Sequence, residues 1–212
     1  SYKKIQVSDS VEIRLIPSSG YKKNVGFARL FDHMILAKNL KKLLLQEKTR
    51  PDVAFIGYPP IESASIMIHW LAKRNIPCLL DVKDQWPSFI IDALPKWGKG
   101  IGRVLLSPYF YLARRAMKEA TGLTAMADDF LMWALNFSNR KRADKDIVVP
   151  LTTANFEVGA NEMESSKQWW AERGVIDNKK IKIMFVGSHY PSLDFSPIFE
   201  AAALFTEQGV EC

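Results

Sequence analysis

Residues 79–94, LLDVKDQWPSFIIDAL, decide the fold, because an apolar run ends there abruptly in two aspartates and a Trp-Pro pair. A short apolar run that begins at Pro77 and is bounded in this way indicates a buried strand of a parallel sheet. Ligands of open α/β sheets bind in the crevice beyond the carboxyl ends of the strands. Asp81, Asp84 and Trp86 therefore mark a predicted binding site, unless the two aspartates only cap a strand-to-helix turn.

The rest of the chain alternates predicted strands with predicted helices. Strands are predicted at 10–17, 51–57, 77–82, 122–127 and 146–150, and helices at 27–46, 63–74, 89–93, 101–120 (with a break at Pro108) and 128–137. This alternation predicts an α/β fold, a Rossmann-like doubly wound sheet of parallel strands joined by right-handed crossovers.

The character of the sequence changes after residue 150. Residues 151–180 are polar and read as a linker with one helix around 166–173, whereas a strand at 181–186 and a helix at 196–208 predict the first βα unit of a second Rossmann-like domain. A single βα unit cannot bury both faces of its strand. We therefore expect the chain to be a fragment of a longer protein, or its last unit to pack onto the first sheet.

Composition and charge narrow the range of ligands, partners and cellular compartments that we expect. The chain of 212 residues has a net charge of +6 and a pI of about 9.2, which favours a phosphate ligand, a nucleic acid or an acidic membrane surface. Its two cysteines, Cys78 and Cys212, predict neither a disulfide framework nor a metal site, so the cytosol is the expected compartment. No uncharged apolar run is long enough to span a bilayer.

Several short segments carry a resemblance to a known family. They are 20–24 (GYKKN, followed by Arg29), 58–60 (YPP), 81–87 (DVKDQWP), 124–130 (TAMADDF), 147–150 (IVVP) and 185–191 (FVGSHYP). In this order they resemble turns and strand ends of the family 4 glycosyltransferases, which have the GT-B fold of two facing Rossmann-like domains. The chain departs from the family at Lys83, where an arginine is usual, and at 150–153, where P-N-G-V is expected.

The resemblance implies an enzyme of bacterial surface glycan synthesis. It would move a sugar from a nucleotide-diphosphate sugar to a lipid-linked or polysaccharide acceptor, usually with retention, and it would need no metal ion or other cofactor. The implied domains are an N-terminal acceptor-binding domain at 1–150 that lacks its first strand, an interdomain linker at 151–180 and the truncated start of a nucleotide-sugar-binding domain at 181–212. The paired glutamates of the donor domain would follow residue 212, so we expect this chain alone to be inactive.

The acceptor side carries most of the implied site residues. Tyr21, Asn24, Asp84 and Trp86 would line the acceptor cleft, with Asp81 beside them. Asp84 is the catalytic candidate, as a carboxylate that orients the acceptor hydroxyl, and an aromatic ring offers a face to a sugar.

The donor candidates are Gly187, Ser188 and His189. Backbone N–H groups of a glycine turn before a helix can hold a diphosphate. The family usually places an arginine and a lysine here, whereas this chain has His189 and Asp194. An ordinary strand-to-helix turn is the alternative.

A basic segment at 96–118, KWGKGIGRVLLSPYFYLARRAMK, contains no acidic residue. Basic residues mixed with interfacial aromatic residues fit a segment that lies on an anionic bilayer. The membrane-facing candidates are Lys96, Trp97, Lys99, Arg103, Arg114 and Arg115. The predicted location is therefore peripheral, on the inner face of the plasma membrane. A crossover helix with a solvated basic face explains the same pattern.

Two other patterns favour structural roles. Asp144-Lys145-Asp146 has the D-x-D form of metal–diphosphate sites in a different glycosyltransferase fold, but its place before a strand predicts a solvated turn. His33 and His69 have no ligand partner at useful spacing.

The competing functional interpretation is a non-catalytic, basic Rossmann-like protein that binds a nucleotide or a nucleic acid. Since no nucleic-acid motif occurs, we expect no nucleic-acid partner.

Overall fold

A computed structural model describes residues 2–22, 27–152, 157–175, 182, 184–187 and 193–209. The contacts divide the chain into two compact units, Ser1–Thr152 and Thr153–Cys212. Within the described residues, no helix is both long enough and apolar enough to cross a membrane.

In the first unit, strands alternate with helices after an N-terminal hairpin. The strands are β1 (Lys3–Ser8), β2 (Val11–Leu15), β3 (Ala54–Tyr58), β4 (Cys78–Val82), β5 (Gly122–Ala125) and β6 (Ile147–Val148). The helices are α1 (Phe27–Gln46), α2 (Ile61–Ala72), α3 (Ser88–Asp92), α4 (Lys99–Leu105), α5 (Ser107–Glu119) and α6 (Asp128–Ser138), with a 3-10 turn at Lys96–Gly98.

Four strands form one parallel sheet in the order β3-β4-β5-β6. The predicted α/β class with a parallel sheet is thereby confirmed, and the arrangement is compatible with a Rossmann-like fold. In the register of the sheet, Tyr58 lies opposite Val82, Val82 opposite Ala125, and Ala125 opposite Val148. The side chains that follow these four residues therefore meet at one edge of the sheet, the edge at which α/β proteins bind ligands.

The core lies between the sheet and the apolar faces of three helices. β5 is buried at every position, as expected for an inner strand of a parallel sheet. In β4, Cys78, Leu80 and Val82 are buried, whereas Leu79 and Asp81 are only half-buried. The helical residues of the core recur every three or four positions, which places them on one face of each helix. They are Ile61, Ala64, Ile68, Leu71, Ala113, Ala116, Met117, Leu131, Ala134 and Leu135.

The N-terminal hairpin differs from the prediction. The strand predicted at 10–17 is β2, and it lies outside the parallel sheet, paired antiparallel with β1, a strand that the sequence pattern did not predict. The physical reason is the tight turn at 9–10, because so short a connection can join only antiparallel strands. Arg14 of the hairpin pairs with Glu47 at the end of α1.

The long helix predicted at 101–120 consists of two helices, α4 and α5, which meet at Leu106. Pro108 lies in the first turn of α5. A proline is tolerated there because the first N–H groups of a helix have no partner within the helix. The predicted break is confirmed, and it falls two residues earlier in the chain.

The described part of the second unit contains two helices, α7 (Ala160–Ala171) and α8 (Ser196–Glu207). α7 begins earlier than the helix predicted around 166–173. The strand predicted at 181–186 is wrong at its described positions, 182 and 184–186, which have no strand structure. A strand needs a neighbour to take its backbone hydrogen bonds, and no other strand occurs in the described part of this unit. The functions assigned to 1–150, 151–180 and 181–212 stay predictions.

Candidate functional site

The candidate site lies at the edge of the sheet where β3 and β4 end. β3 ends at Tyr58, and β4 ends at Val82 and continues through Asp84 and Trp86 into α3. The buried Tyr58 hydroxyl donates a hydrogen bond of 2.5 Å to the Trp86 carbonyl oxygen and so joins the two strand ends. Burial, followed by the negative charges of Asp84 and Glu62, raises the pKa of Tyr58 well above its usual range. The hydroxyl therefore keeps its proton and remains a donor.

Arg29 of α1 joins two residues that the sequence assigned to the acceptor cleft. Its guanidinium carbon lies 4.9 Å from the centre of the Trp86 ring and 5.9 Å from the centre of the Tyr21 ring. A cation is attracted to an aromatic face at such distances. The structure thus groups Tyr21 and Trp86 around a cation, although they come from different parts of the chain.

The loop that carries Tyr21 is held in place by Asp32. The buried Asp32 carboxylate accepts hydrogen bonds from the Gly20 backbone N–H at 2.5 Å and from the Ser19 hydroxyl at 3.1 Å. Although burial opposes the change, hydrogen bonds from this loop lower the pKa of Asp32, so the group stays a carboxylate. The anchored loop places the Tyr21 ring edge-on to His33, with 6.3 Å between ring centres.

A buried pair of titratable side chains adjoins this aromatic group. His33 is 6% exposed and Glu62, in the first turn of α2, is 8% exposed. His33 Nδ1 lies 3.8 Å from Glu62 Oε2. Glu62 Oε1 and Ser63 Oγ are buried and make no hydrogen bond with any described residue. Buried polar atoms without partners are costly, so a hydroxyl or a water that donated to Glu62 Oε1 would be strongly favoured.

Tyr109 of α5 faces the same carboxylate. Burial, followed by the charge of Glu62, raises the pKa of Tyr109 to about 12. Its phenol group is therefore protonated near neutral pH and can only add a donor, not a second negative charge, to this part of the site.

Asp81, within β4, and Asp84, two residues beyond its end, occupy different environments. Asp84 Oδ1 accepts a hydrogen bond of 2.8 Å from the Gln85 backbone N–H, which orients the half-buried side chain beyond the strand end. Asp81 Oδ1 accepts one of 2.8 Å from the Thr124 hydroxyl, and its Oδ2 lies 3.4 Å from Lys83 Nζ. Asp81 therefore joins β4 to β5, whereas Asp84 lies beyond the end of β4 and bonds only to its own turn among the contacts of the described residues.

Some of the predicted site lies outside the described residues. This applies to Asn24 on the acceptor side and to Ser188 and His189 on the donor side. Gly187 is described and forms an exposed bend in the second unit. The roles assigned to these four residues stay predictions.

The predicted membrane-facing residues differ in whether they pair with other side chains of the first unit. Arg115 pairs with Glu119, at 2.7 Å from Nε to Oε1, and contacts His69 at 3.0 Å. The side chain of Lys99 lies 3.6 Å from Asp92. The remaining candidates lie on the exposed surface of the 3-10 turn, α4 and α5, namely Lys96, Trp97, Arg103 and Arg114.

The D-x-D pattern has a structural role. The Asp146 carboxylate is buried and accepts hydrogen bonds from the backbone N–H groups of Leu123 and Ala143 and from Arg140 Nη2, each at 2.8 Å. The predicted solvated turn is therefore wrong for Asp146, because these donors replace water around the charge. In the part of the chain that the structure describes, no group of three or more His, Cys, Asp and Glu side chains could hold a metal ion.

Sequence reasoning assigned no role in the site to Arg29, His33, Glu62 or Tyr109. All four lie in helices, where spacing alone does not reveal which side chain reaches the strand ends. One signal was available for Glu62. It follows a strand end by four residues, after two prolines and Ile61, and a charged residue near a strand end is the signal that drew attention to Asp84.

The fold and the site define an α/β protein with polar and aromatic residues grouped at the carboxyl edge of a parallel sheet. Comparison of the chain with protein-family models, with curated proteins and with solved structures gave no match. The inference of function therefore rests on the residues themselves and on the resemblance of their motifs.

Proposed function

We propose that this chain forms the acceptor-binding side of a metal-independent glycosyltransferase with the GT-B fold, similar to family 4. The observation that carries the proposal is the grouping of Tyr21, Arg29 and Trp86 at the carboxyl edge of the sheet, with Asp84 two residues before Trp86 in the chain. Aromatic faces suit sugar rings, a guanidinium suits phosphate, and a carboxylate suits a hydroxyl. A phosphorylated or lipid-diphosphate-linked sugar offers all three of these groups.

The proposed reaction transfers a sugar with retention of anomeric configuration. The acceptor hydroxyl oxygen bonds to the anomeric carbon of a nucleotide-diphosphate sugar, and the bond from that carbon to the diphosphate oxygen breaks. Its electron pair leaves with the nucleoside diphosphate, which also takes the proton of the acceptor hydroxyl. Asp84 orients that hydroxyl and need not act as the base. Gly187, Ser188 and His189 are the residues proposed to hold the donor diphosphate.

The buried Glu62 side chain is compatible with a hydroxylated ligand and does not require one. Its Oε1 atom has no hydrogen-bond donor among the described residues, and either a sugar hydroxyl or a water would supply one. A lipid-linked acceptor would place the protein at the inner face of the plasma membrane, in the synthesis of bacterial surface glycans. Neither a metal ion nor another cofactor is required by this proposal.

The proposal is tested by acceptor binding, which does not need the donor half. The chain is titrated with an N-acetylhexosamine linked through a diphosphate to a short, soluble prenyl chain, and binding is followed by saturation-transfer NMR. We expect Arg29→Gln to weaken binding about tenfold, because a charge-assisted hydrogen bond is lost. The matched control is Arg74→Gln, since Arg74 also lies over a tryptophan, 4.2 Å from the centre of Trp70.

Two results would contradict the proposal. One is that the unchanged chain binds neither this compound nor the corresponding sugar phosphate. The other is that Arg29→Gln and Arg74→Gln weaken binding equally, since the loss would then not come from the strand-end site. Salt-sensitive binding of oligonucleotides that depends on Arg29 would favour the non-catalytic nucleic-acid interpretation instead.

A further inference from the structure

A stripe of exposed apolar side chains runs along the 3-10 turn and α4. Trp97, Ile101, Val104 and Leu105 are 81%, 60%, 73% and 72% exposed. Their spacing of three and four residues places them on one helical face, and we call these four residues the α4 ridge. A large apolar patch on the surface of a soluble unit marks an interaction site.

A groove with a volume of about 570 Å³ is lined by residues of both α4 and α5. Arg103 and Arg114 both line it, together with Tyr111. Arg114 is held in place, because its Nε donates a hydrogen bond of 3.1 Å to the Phe137 carbonyl oxygen and its guanidinium carbon lies 5.2 Å from the centre of the Phe137 ring. The groove therefore carries two cations, at least one of them pre-positioned by the fold.

All the charged residues of the segment that carries the α4 ridge are basic. The segment from Lys96 to Lys118 contains no aspartate or glutamate. The nearest acidic residue before it in the sequence is Asp92, which lies 3.6 Å from Lys99. An apolar stripe with a tryptophan at one end and cations beside it has the composition of an element that lies in a membrane interface.

We propose that the α4 ridge inserts into the surface of an anionic lipid bilayer and that a lipid phosphate binds between Arg103 and Arg114. The proposal concerns residues other than those of the strand-end site and does not depend on sugar transfer. The aliphatic side chains of Ile101, Val104 and Leu105 favour lipid over nucleic acid, because neither bases nor phosphates provide an apolar phase for them. Each basic residue near an anionic surface strengthens partition about fivefold.

Vesicle flotation tests this surface with the chain alone and without any sugar nucleotide. We expect the chain to float with vesicles of phosphatidylcholine mixed with phosphatidylglycerol and not with phosphatidylcholine alone. Val104→Ser combined with Leu105→Ser should lower partition by more than about tenfold, because several buried carbons are lost. Arg103→Gln combined with Arg114→Gln should lower it about 25-fold.

Matched controls change the same residue types elsewhere on the first unit. Leu45→Ser with Val53→Ser removes two apolar side chains of similar exposure, and Lys41→Gln with Lys42→Gln removes two exposed charges. Neither pair should alter flotation. All variants change exposed side chains, and their thermal unfolding is compared with that of the unchanged chain so that a loss of folding is recognised.

Trp97 provides a direct measure of insertion. Brominated lipids should quench the part of the tryptophan emission that disappears in Trp97→Phe. The proposal is overturned if the chain does not float with anionic vesicles, if neutral vesicles bind it equally, or if the control variants lose binding as the test variants do. Binding of a single-stranded oligonucleotide that competes with vesicles and requires Arg103 and Arg114 would also overturn it. Because sugar compounds are absent from this assay, its failure leaves the acceptor-binding test unaffected.

Discussion

Replacing Asp146 with alanine should strongly destabilise the first unit, because this carboxylate connects β5, the loop before β6 and a buried arginine. In the variant, the backbone N–H groups of Leu123 and Ala143 lose their acceptor. The Arg140 guanidinium loses its charge partner while it stays largely buried. Removal of one member of a buried ion pair costs about 3–5 kcal/mol. That is a large part of the total stability of a typical domain, about 5–15 kcal/mol.

The loss is measured by urea unfolding followed by circular dichroism. Asp146→Asn keeps one carbonyl acceptor and should lose less than alanine does. Arg140→Met in the Asp146→Ala background should recover part of the loss, because the unpaired buried charge is removed. The matched control is Asp144→Ala, two residues away and exposed, which should leave the midpoint unchanged. A loss below about 1 kcal/mol, or strict additivity of the Arg140 and Asp146 changes, would refute this account of the pair.

Two further predictions concern packing and pH. Gly122→Ala should cost about 1–3 kcal/mol in urea unfolding, because its Cβ would lie 2.5 Å from the Lys145 carbonyl oxygen. Gly100→Ala is the control, since a Cβ there lies in open space and should not destabilise the first unit. Equal effects of the two substitutions would argue against the contact. The pKa of Glu47 is lowered from 4.5 to about 2 by the backbone N–H of Thr49 and by Arg14. The unfolded chain therefore binds this proton more tightly, and stability should fall as the pH drops from about 4.5 towards 2. Glu47→Gln should reduce that slope in acid unfolding, and an unchanged slope would contradict the assignment.

Much of the architecture of the first unit could be predicted from local patterns. The helix at 27–46 has the same bounds in the structure, and the strands at 54–58, 78–82 and 122–125 have bounds within three residues of the predicted ones. Hydrophobic periodicity shows which face of a segment is buried. It can be read from residues that are close together in the sequence, so it needs no knowledge of the tertiary structure. β1 escaped prediction because only two of its six residues, Ile5 and Val7, are apolar, which makes the alternation too short to indicate a strand.

The candidate site was predictable only in part. A predicted strand end followed by charged residues was sufficient to single out Asp84 and Trp86, because the carboxyl ends of parallel strands lie together at one edge of the sheet. Whether an aspartate at such an end faces a ligand or a neighbouring strand depends on pairing between strands. The hydrogen bond from Thr124 to Asp81 is of that kind, and no spacing within the segment indicates it.

The sequence by itself determined the α/β class, the order of the elements from α1 to β6 and the strand end singled out as a candidate site, since all three follow from local periodicity and turn chemistry. Only the tertiary structure decided that Arg29 lies over Trp86, that Glu62 is buried against His33 and that Arg115 pairs with Glu119 and contacts His69. These contacts depend on how helices from separate parts of the chain pack on one sheet. Such packing is set by the whole core and not by any single segment.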